Sequence, residues 1–382
     1  MSRRKGNQTA FKQNERSLTY LDAYSKSLSK ARRGFATWGD LSGKKVAMLV
    51  RNDIDAAIAL FSFSRLGLNI TFLNPEMSQD QFKGLLNRFD YFFSYEDEPL
   101  FRFIPAEKRL DFGTANVETD VLPKFKAGQI TVLTGGTTGS FKSANRDQST
   151  SAFLNPLSAL VKQLELDKFK SVYIPTPIYH GYGLAALTVS IVLGSEIHLT
   201  KKFSATTACE LINNEEIEVV TLVPLMLQRM LETDSHALKK TRRILSGGAA
   251  LNPELTTKSI IELGPILYNL YGTTEAGFCV IGTPEQLKAN PTAIGKAVPG
   301  ALVKTSASPI GELQISSKWI MNNTSEQWIN SGDLAEIVDD LIFLKGRADS
   351  MIVSGGENVY PLELEQILMK HGSINEAAVL GI

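Results

Sequence analysis

Gln129-Ile-Thr-Val-Leu-Thr-Gly-Gly-Thr-Thr-Gly-Ser-Phe-Lys142 is the stretch on which the fold of this chain turns. Its apolar run Ile130–Leu133, short and followed by glycines, predicts a buried strand. The strand opens into a loop of glycines and hydroxyl side chains that ends at Lys142. Glycine lets backbone N–H groups turn inward against a ligand, hydroxyls add donors, and a lysine adds a mobile cation. Such a loop suits the phosphates of a nucleotide. Two familiar phosphate loops are excluded. The pattern G-x-x-x-x-G-K-[ST] fails because Phe141 precedes Lys142, and G-x-G-x-x-G fails because Gly135-Gly136-Thr-Thr-Gly139 has another spacing.

Outward from the loop, short apolar strands alternate with helices between Lys45 and Tyr271. Strands are expected at Val46–Val50, Ile70–Leu73, Ser171–Ile174, Glu196–Leu199, Val219–Val223 and Arg243–Leu245. A helix is expected over Asp53–Leu66, ended by Gly67, and another from Ser78, where Gln81 completes a capping box. Two more begin with proline in the first turn, at Pro224 and Pro253. The alternation predicts an α/β fold whose large domain holds doubly wound, mostly parallel sheets. Ligands in such folds bind beyond the carboxyl ends of strands, where the glycine loop and an expected turn at Tyr271 both lie. After Gly295 the pattern changes to short strands at Leu302–Lys304, Glu312–Ser316, Leu334–Val338 and Leu341–Leu344. They predict a small β subdomain over about residues 295–345, closing the nucleotide crevice. The apolar run Ala377–Ile382 reads as a further strand.

Forty basic and forty acidic residues balance in 382, so no global field favours nucleic acid or an anionic membrane. The longest apolar run, Gly183–Gly194, is too short to span a bilayer and predicts a core helix. The basic start Arg3-Arg4-Lys5 leads into a stretch too polar for a signal peptide. Two separated cysteines, Cys209 and Cys279, make a disulfide or metal framework improbable and fit a reducing cytoplasm.

Thr134 to Lys142, Tyr271-Gly-Thr-Thr-Glu275, Ser331-Gly-Asp333 and Gly346-Arg-Ala-Asp349, in that order, resemble the motifs of the adenylate-forming superfamily. That superfamily holds acyl-CoA synthetases, aryl-CoA ligases, luciferases and peptide-synthetase adenylation domains. The resemblance runs from about Asn14 to the last residue. Within it, Val223–Met230, Ile266–Gly272 and Met351–Pro361 look most like medium- to long-chain fatty-acyl-CoA synthetases. The resemblance implies an adenylating domain over 1–345, a hinge at 346–349 and an incomplete small α+β domain over 350–382. It implies ATP, Mg²⁺ and CoA as reaction partners, a fatty acid or other carboxylic acid as substrate, and admits a homodimer. A carboxylate attacks the α-phosphate of ATP, and a thiol then attacks the acyl-adenylate. An anion must meet a polyanion, so such a site needs charge neutralisation and in-line positioning.

By resemblance, Thr134, Thr137, Thr138, Gly139 and Lys142 hold the β- and γ-phosphates, and Glu275 ligates magnesium, a cation that takes one or two carboxylates beside phosphates. Tyr271 offers a flat face to adenine, with Gly272 and Thr274 in the same motif, and Gly248-Ala249 lines the other face. Asp333 accepts from the ribose hydroxyls, and Arg347 adds a ribose or phosphate contact. His180, in Pro177-Ile-Tyr-His-Gly-Tyr-Gly183, positions the reacting carboxylate, and Leu184–Leu193 walls an acyl tunnel.

Three features depart from the family pattern. Phe141 and Ser143 flank Lys142 where relatives have proline and glycine, and Val353 stands where many have lysine. No residue matches the lysine that the family places in its C-terminal domain, so the chain is expected to be a fragment that binds the acyl-adenylate but turns over poorly. Two alternatives stay open. One is a ligase for an aryl acid, or one that hands its acyl group to a carrier protein. The other is a defective homologue that only binds nucleotide.

Overall fold

The computed structural model describes residues 6–112, 121–134, 142–143, 160–273, 276–317, 328–354, 357–369, 371, 374 and 377–381. The chain divides into two compact units, Met1–Gln148 with Leu166–Thr221, and Ser149–Glu165 with Leu222–Ile382.

In the first unit, β3 (Lys45–Leu49), β4 (Asn69–Leu73), β5 (Tyr91–Ser94) and β6 (Ile130–Thr134) run parallel in the order β5-β3-β4-β6. Val46 to Leu49 are fully buried, as expected of a parallel strand covered on both faces. Phe82, Phe89 and Phe92 pack edge to face beneath this sheet, with Leu49, Leu73 and Leu100 around them. A short β7 (Lys142–Ser143) pairs antiparallel with β6, with Thr134 and Lys142 as register partners. The other sheet of this unit holds β8 (Ser171–Ile174), β9 (Glu196–Leu199) and β10 (Val219–Leu222), all parallel. β1 (Thr9–Gln13) runs parallel to β9, and its hairpin partner β2 (Arg16–Thr19) forms the edge.

The helices begin where their caps predict. Ser78 and Gln81 form the capping box of Gln79–Lys83, and Asp53 caps Ile54–Arg65. The apolar run becomes the helix Gly181–Leu193, ended by Gly194. Pro224 and Pro253 open the helices Pro224–Leu238 and Pro253–Leu263. No helix among the described residues is long and apolar enough to cross a membrane.

The second unit starts as a parallel pair, β11 (Arg243–Gly247) and β12 (Leu267–Thr273). It then turns antiparallel through β13 (Gly277–Gly282), β14 (Ala293–Ala297), β15 (Ala301–Thr305), β16 (Ile310–Ser317), β17 (Ile329–Val338) and β18 (Leu341–Arg347). A small hairpin, β19 (Ile352–Ser354) with β20 (Glu357–Val359), precedes the helix Pro361–Met369.

Two expectations are corrected. Tyr271 and Gly272 do not form a turn after a strand but lie inside β12, because β13 folds back and supplies a second ladder for them. The apolar run at 377–382 is no strand over 377–381; Val379 instead donates its N–H to Glu365 Oε1 at 2.9 Å.

Candidate nucleotide site

The second unit encloses a cavity of about 1030 Å³, large enough for a nucleoside and more. Gly248 and Ala249, just past β11, line it with Tyr271 and Gly272 from β12, Asp333 from β17 and Arg347 from β18. Six residues chosen from sequence therefore meet at one opening, although they come from four separate stretches of chain.

Local geometry explains their types. At Gly272 a Cβ would collide with the carbonyl of Gly277, so only glycine lets β12 and β13 close tightly beside Tyr271. At Gly332 the backbone is left-handed (φ +77°), and a Cβ would lie 2.7 Å from Arg347 Nη2. Glycine there lets the guanidinium lie across β17, where Asp333 and Arg347 are register partners. The Gly332 N–H donates to Glu312 Oε1 and the Asp333 N–H to Ser331 Oγ, which pins the backbone under the carboxylate.

Asp333 is the centre of charge. The Tyr271 hydroxyl donates to Asp333 Oδ2 at 2.6 Å, and Arg347 Nη1 donates to Oδ1 at 3.3 Å. The Asp333 side chain is 17% exposed and that of Arg347 52%, so the ion pair is largely screened by water while the phenol bond is not. Burial, with Asp333 beside it, pushes the Tyr271 phenol well above its ordinary pKa, so it stays a donor. Burial likewise pushes the nearby Cys279 thiol up to about 12, which removes it as a nucleophile.

The first unit carries Thr134, Lys142 and His180. Thr134 ends β6 and Lys142 begins β7. His180 sits at the start of the helix Gly181–Leu193, its ring 4.7 Å from that of Tyr179. Partial burial lowers its pKa, so the imidazole is neutral near pH 7 and suits orienting a carboxylate by hydrogen bonding. Thr137, Thr138, Gly139, Thr274 and Glu275 lie outside the described residues, as do Phe141 and the Gly355-Gly356 pair.

Sequence reasoning missed Asn52. It is buried in the turn between β3 and the helix Ile54–Arg65, and its carboxamide donates to the carbonyls of Ile174 and Thr176 and accepts from the Ile178 N–H. It thereby fixes the segment leading to His180. The other cavity walls were also missed, among them Ile294, Leu344, Met351, Leu362 and Glu365. Nothing in their residue types marks them: Ile294 and Leu344 arrive on β14 and β18, Met351 just before β19, and Leu362 and Glu365 on the helix Pro361–Met369.

The model of the AMP-binding enzyme family matches residues 104–322, more than half of the chain. A 2-succinylbenzoate–CoA ligase of Staphylococcus epidermidis is 26% identical over 99% of this chain and 82% of its own length. Among solved structures, the o-succinylbenzoate CoA synthetase of Bacillus subtilis in complex with its acyl-adenylate intermediate superposes with a TM-score of 0.88, at 22% identity, over 100% of this chain and 84% of that one. The same enzyme in complex with ATP and a magnesium ion gives 0.86, at 22% identity, over 100% and 85%. The α/β fold is thus shared.

These relatives correct the expected likeness to fatty-acyl-CoA synthetases. The three segments that suggested it are a helix start at Pro224 with Leu227 and Met230 buried, strand β12, and the β19–β20 hairpin. They serve the fold and say little about the acid.

Proposed function

We propose that this chain, a member of the AMP-binding enzyme family, is an ATP-dependent acid–CoA ligase for an aromatic acid of the 2-succinylbenzoate kind. The cavity where Tyr271, Asp333 and Arg347 converge with Gly248 and Ala249 carries this proposal, because it joins small walls, a flat ring and a carboxylate in one nucleoside-sized space. The choice of acid is supported by the curated relatives, which match nearly the whole chain.

The residues divide the work as follows. Asp333 accepts hydrogen bonds from the ribose, with Arg347 at its side. The Tyr271 ring and the Gly248–Ala249 backbone flank adenine. The loop between Thr134 and Lys142 takes the phosphates, its hairpin base holding the two ends together. Glu275 would hold magnesium, which neutralises phosphate charge as the anionic acid approaches. A carboxylate oxygen of the acid attacks the α-phosphorus, the bond to the bridging oxygen breaks, and pyrophosphate leaves. His180 keeps the carboxylate oriented for this attack. The CoA sulfur then adds to the activated carbonyl, and AMP leaves with the electron pair of the C–O bond. On this proposal residues 1–345 form the adenylating domain, 346–349 the hinge and 350–382 the start of a small domain.

Thermal stabilisation by non-hydrolysable acyl-sulfamoyl adenosines tests both site and acid, since a ligand that binds only the native state at a hundred times its Kd stabilises by about 2.7 kcal/mol. The 2-succinylbenzoyl analogue is expected to raise the melting temperature more than the benzoyl analogue, and the hexadecanoyl analogue least. A shift with hexadecanoyl alone would overturn the aromatic assignment, and no shift with any would overturn the ligase assignment.

A further inference from the structure

We propose that the Tyr271 hydroxyl is a positioning group for ribose recognition: it holds Asp333 Oδ2 so that Oδ1 is presented to the sugar hydroxyls. This inference rests on the cavity being the nucleotide site. Its role is separate from that of the ring, whose face is free to flank a base while its edge works on the carboxylate.

The geometry favours the phenol as the fixing partner. Rotation of a carboxylate about its last torsion is soft, with no strong intrinsic minimum, so an aspartate needs an outside contact to fix its oxygens. Asp333 has two side-chain partners. The Tyr271 contact is short at 2.6 Å and half-buried, in the range of charge-assisted O–H···O⁻ bonds. The Arg347 contact is 3.3 Å long and comes from an exposed guanidinium on a flexible stem. The backbone on either side is already set, by Gly332 donating to Glu312 and Asp333 donating to Ser331. What remains free is the carboxylate plane, and Tyr271, 62 residues away in sequence, fixes it.

A substrate cycle tests this. Wild type and Tyr271→Phe are each titrated calorimetrically with ATP and with 2′,3′-dideoxy-ATP, which lacks the hydroxyls that Asp333 would bind. Wild type is expected to prefer ATP. Tyr271→Phe is expected to bind ATP about fivefold more weakly, the worth of one net hydrogen bond, and dideoxy-ATP unchanged. Equal weakening towards both nucleotides, or an unchanged preference for ATP, overturns the positioning role while leaving the nucleotide site standing. A wild type that binds ATP and dideoxy-ATP equally overturns ribose recognition at Asp333, and with it the inference. Because Phe keeps the ring, a melting temperature near wild type is expected. Asp333→Asn provides a second variant, in which the preference for ATP is lost whether or not Tyr271 is present.

Discussion

The same bond occurs twice in this molecule and does different work. In the first unit the Tyr95 hydroxyl donates to Asp53 Oδ1 at 2.7 Å; in the second the Tyr271 hydroxyl donates to Asp333 Oδ2 at 2.6 Å. Asp53 is 2% exposed, and the same oxygen caps the helix Ile54–Arg65 by accepting from the Ala56 N–H. Burial raises its pKa, against the pull of those two donors. Asp333 instead lines a cavity, with its second oxygen beside an exposed arginine. A tyrosine–aspartate pair is therefore no sign of a binding site by itself. What separates the two is the cavity in front of Asp333 and the exposed guanidinium beside its second oxygen.

Substitutions at the two pairs should break along that line. Asp333→Ala removes two charge-assisted hydrogen bonds worth about 1.5 kcal/mol each, so ATP affinity by calorimetry is expected to fall about a hundredfold, with about 1 kcal/mol of stability also lost because the Tyr271 phenol is left without its acceptor. Asp53→Ala removes a helix cap and strands a half-buried phenol. Its expected cost is about 2 kcal/mol of stability in urea titration, with ATP affinity retained. Gly332→Ala forces a side chain onto a left-handed backbone, at about 1–2 kcal/mol, and pushes Arg347 aside. A drop in both stability and ATP affinity is expected, of a few-fold for the latter. Tyr95→Phe is smaller again, about 1 kcal/mol of stability and no change in nucleotide binding.

The smallest effect sharpens the contrast with a third cluster, built around a buried histidine. His198 is buried against Glu196, while Lys12 bridges Glu196 and Glu215. Burial lowers the His198 pKa despite the neighbouring Glu196. The unfolded chain therefore takes up this proton first, so stability is full above about pH 6.5 and declines as pH falls through that value. His198→Asn should flatten the decline by less than about 1 kcal/mol, read as urea midpoints between about pH 5 and 7, without altering ATP affinity.

The sequence revealed these regions unequally. Parallel strands are legible because burial on both faces leaves a continuous apolar run, as at Val46 to Leu49. Helix starts are legible where the cap is local, as at Ser78, Pro224 and Pro253. The strand Thr9–Gln13 was not, because it pairs with β9 far along the chain and alternates weakly. Tyr271 and Asp333 could be chosen by their motifs, but not the hydrogen bond between them, which depends on β12 and β17 converging on one cavity. Asn52 was invisible for the same reason. Its three carboxamide hydrogen bonds all reach backbone more than a hundred residues away.

Side-by-side calorimetric titration of wild type, Asp53→Ala and Asp333→Ala with ATP and magnesium tests the central claim most directly. Wild type and Asp53→Ala should bind alike, with Asp333→Ala weaker by about a hundredfold. Equal affinity in all three proteins would contradict the assignment of the Tyr271–Asp333 cavity as the nucleotide site.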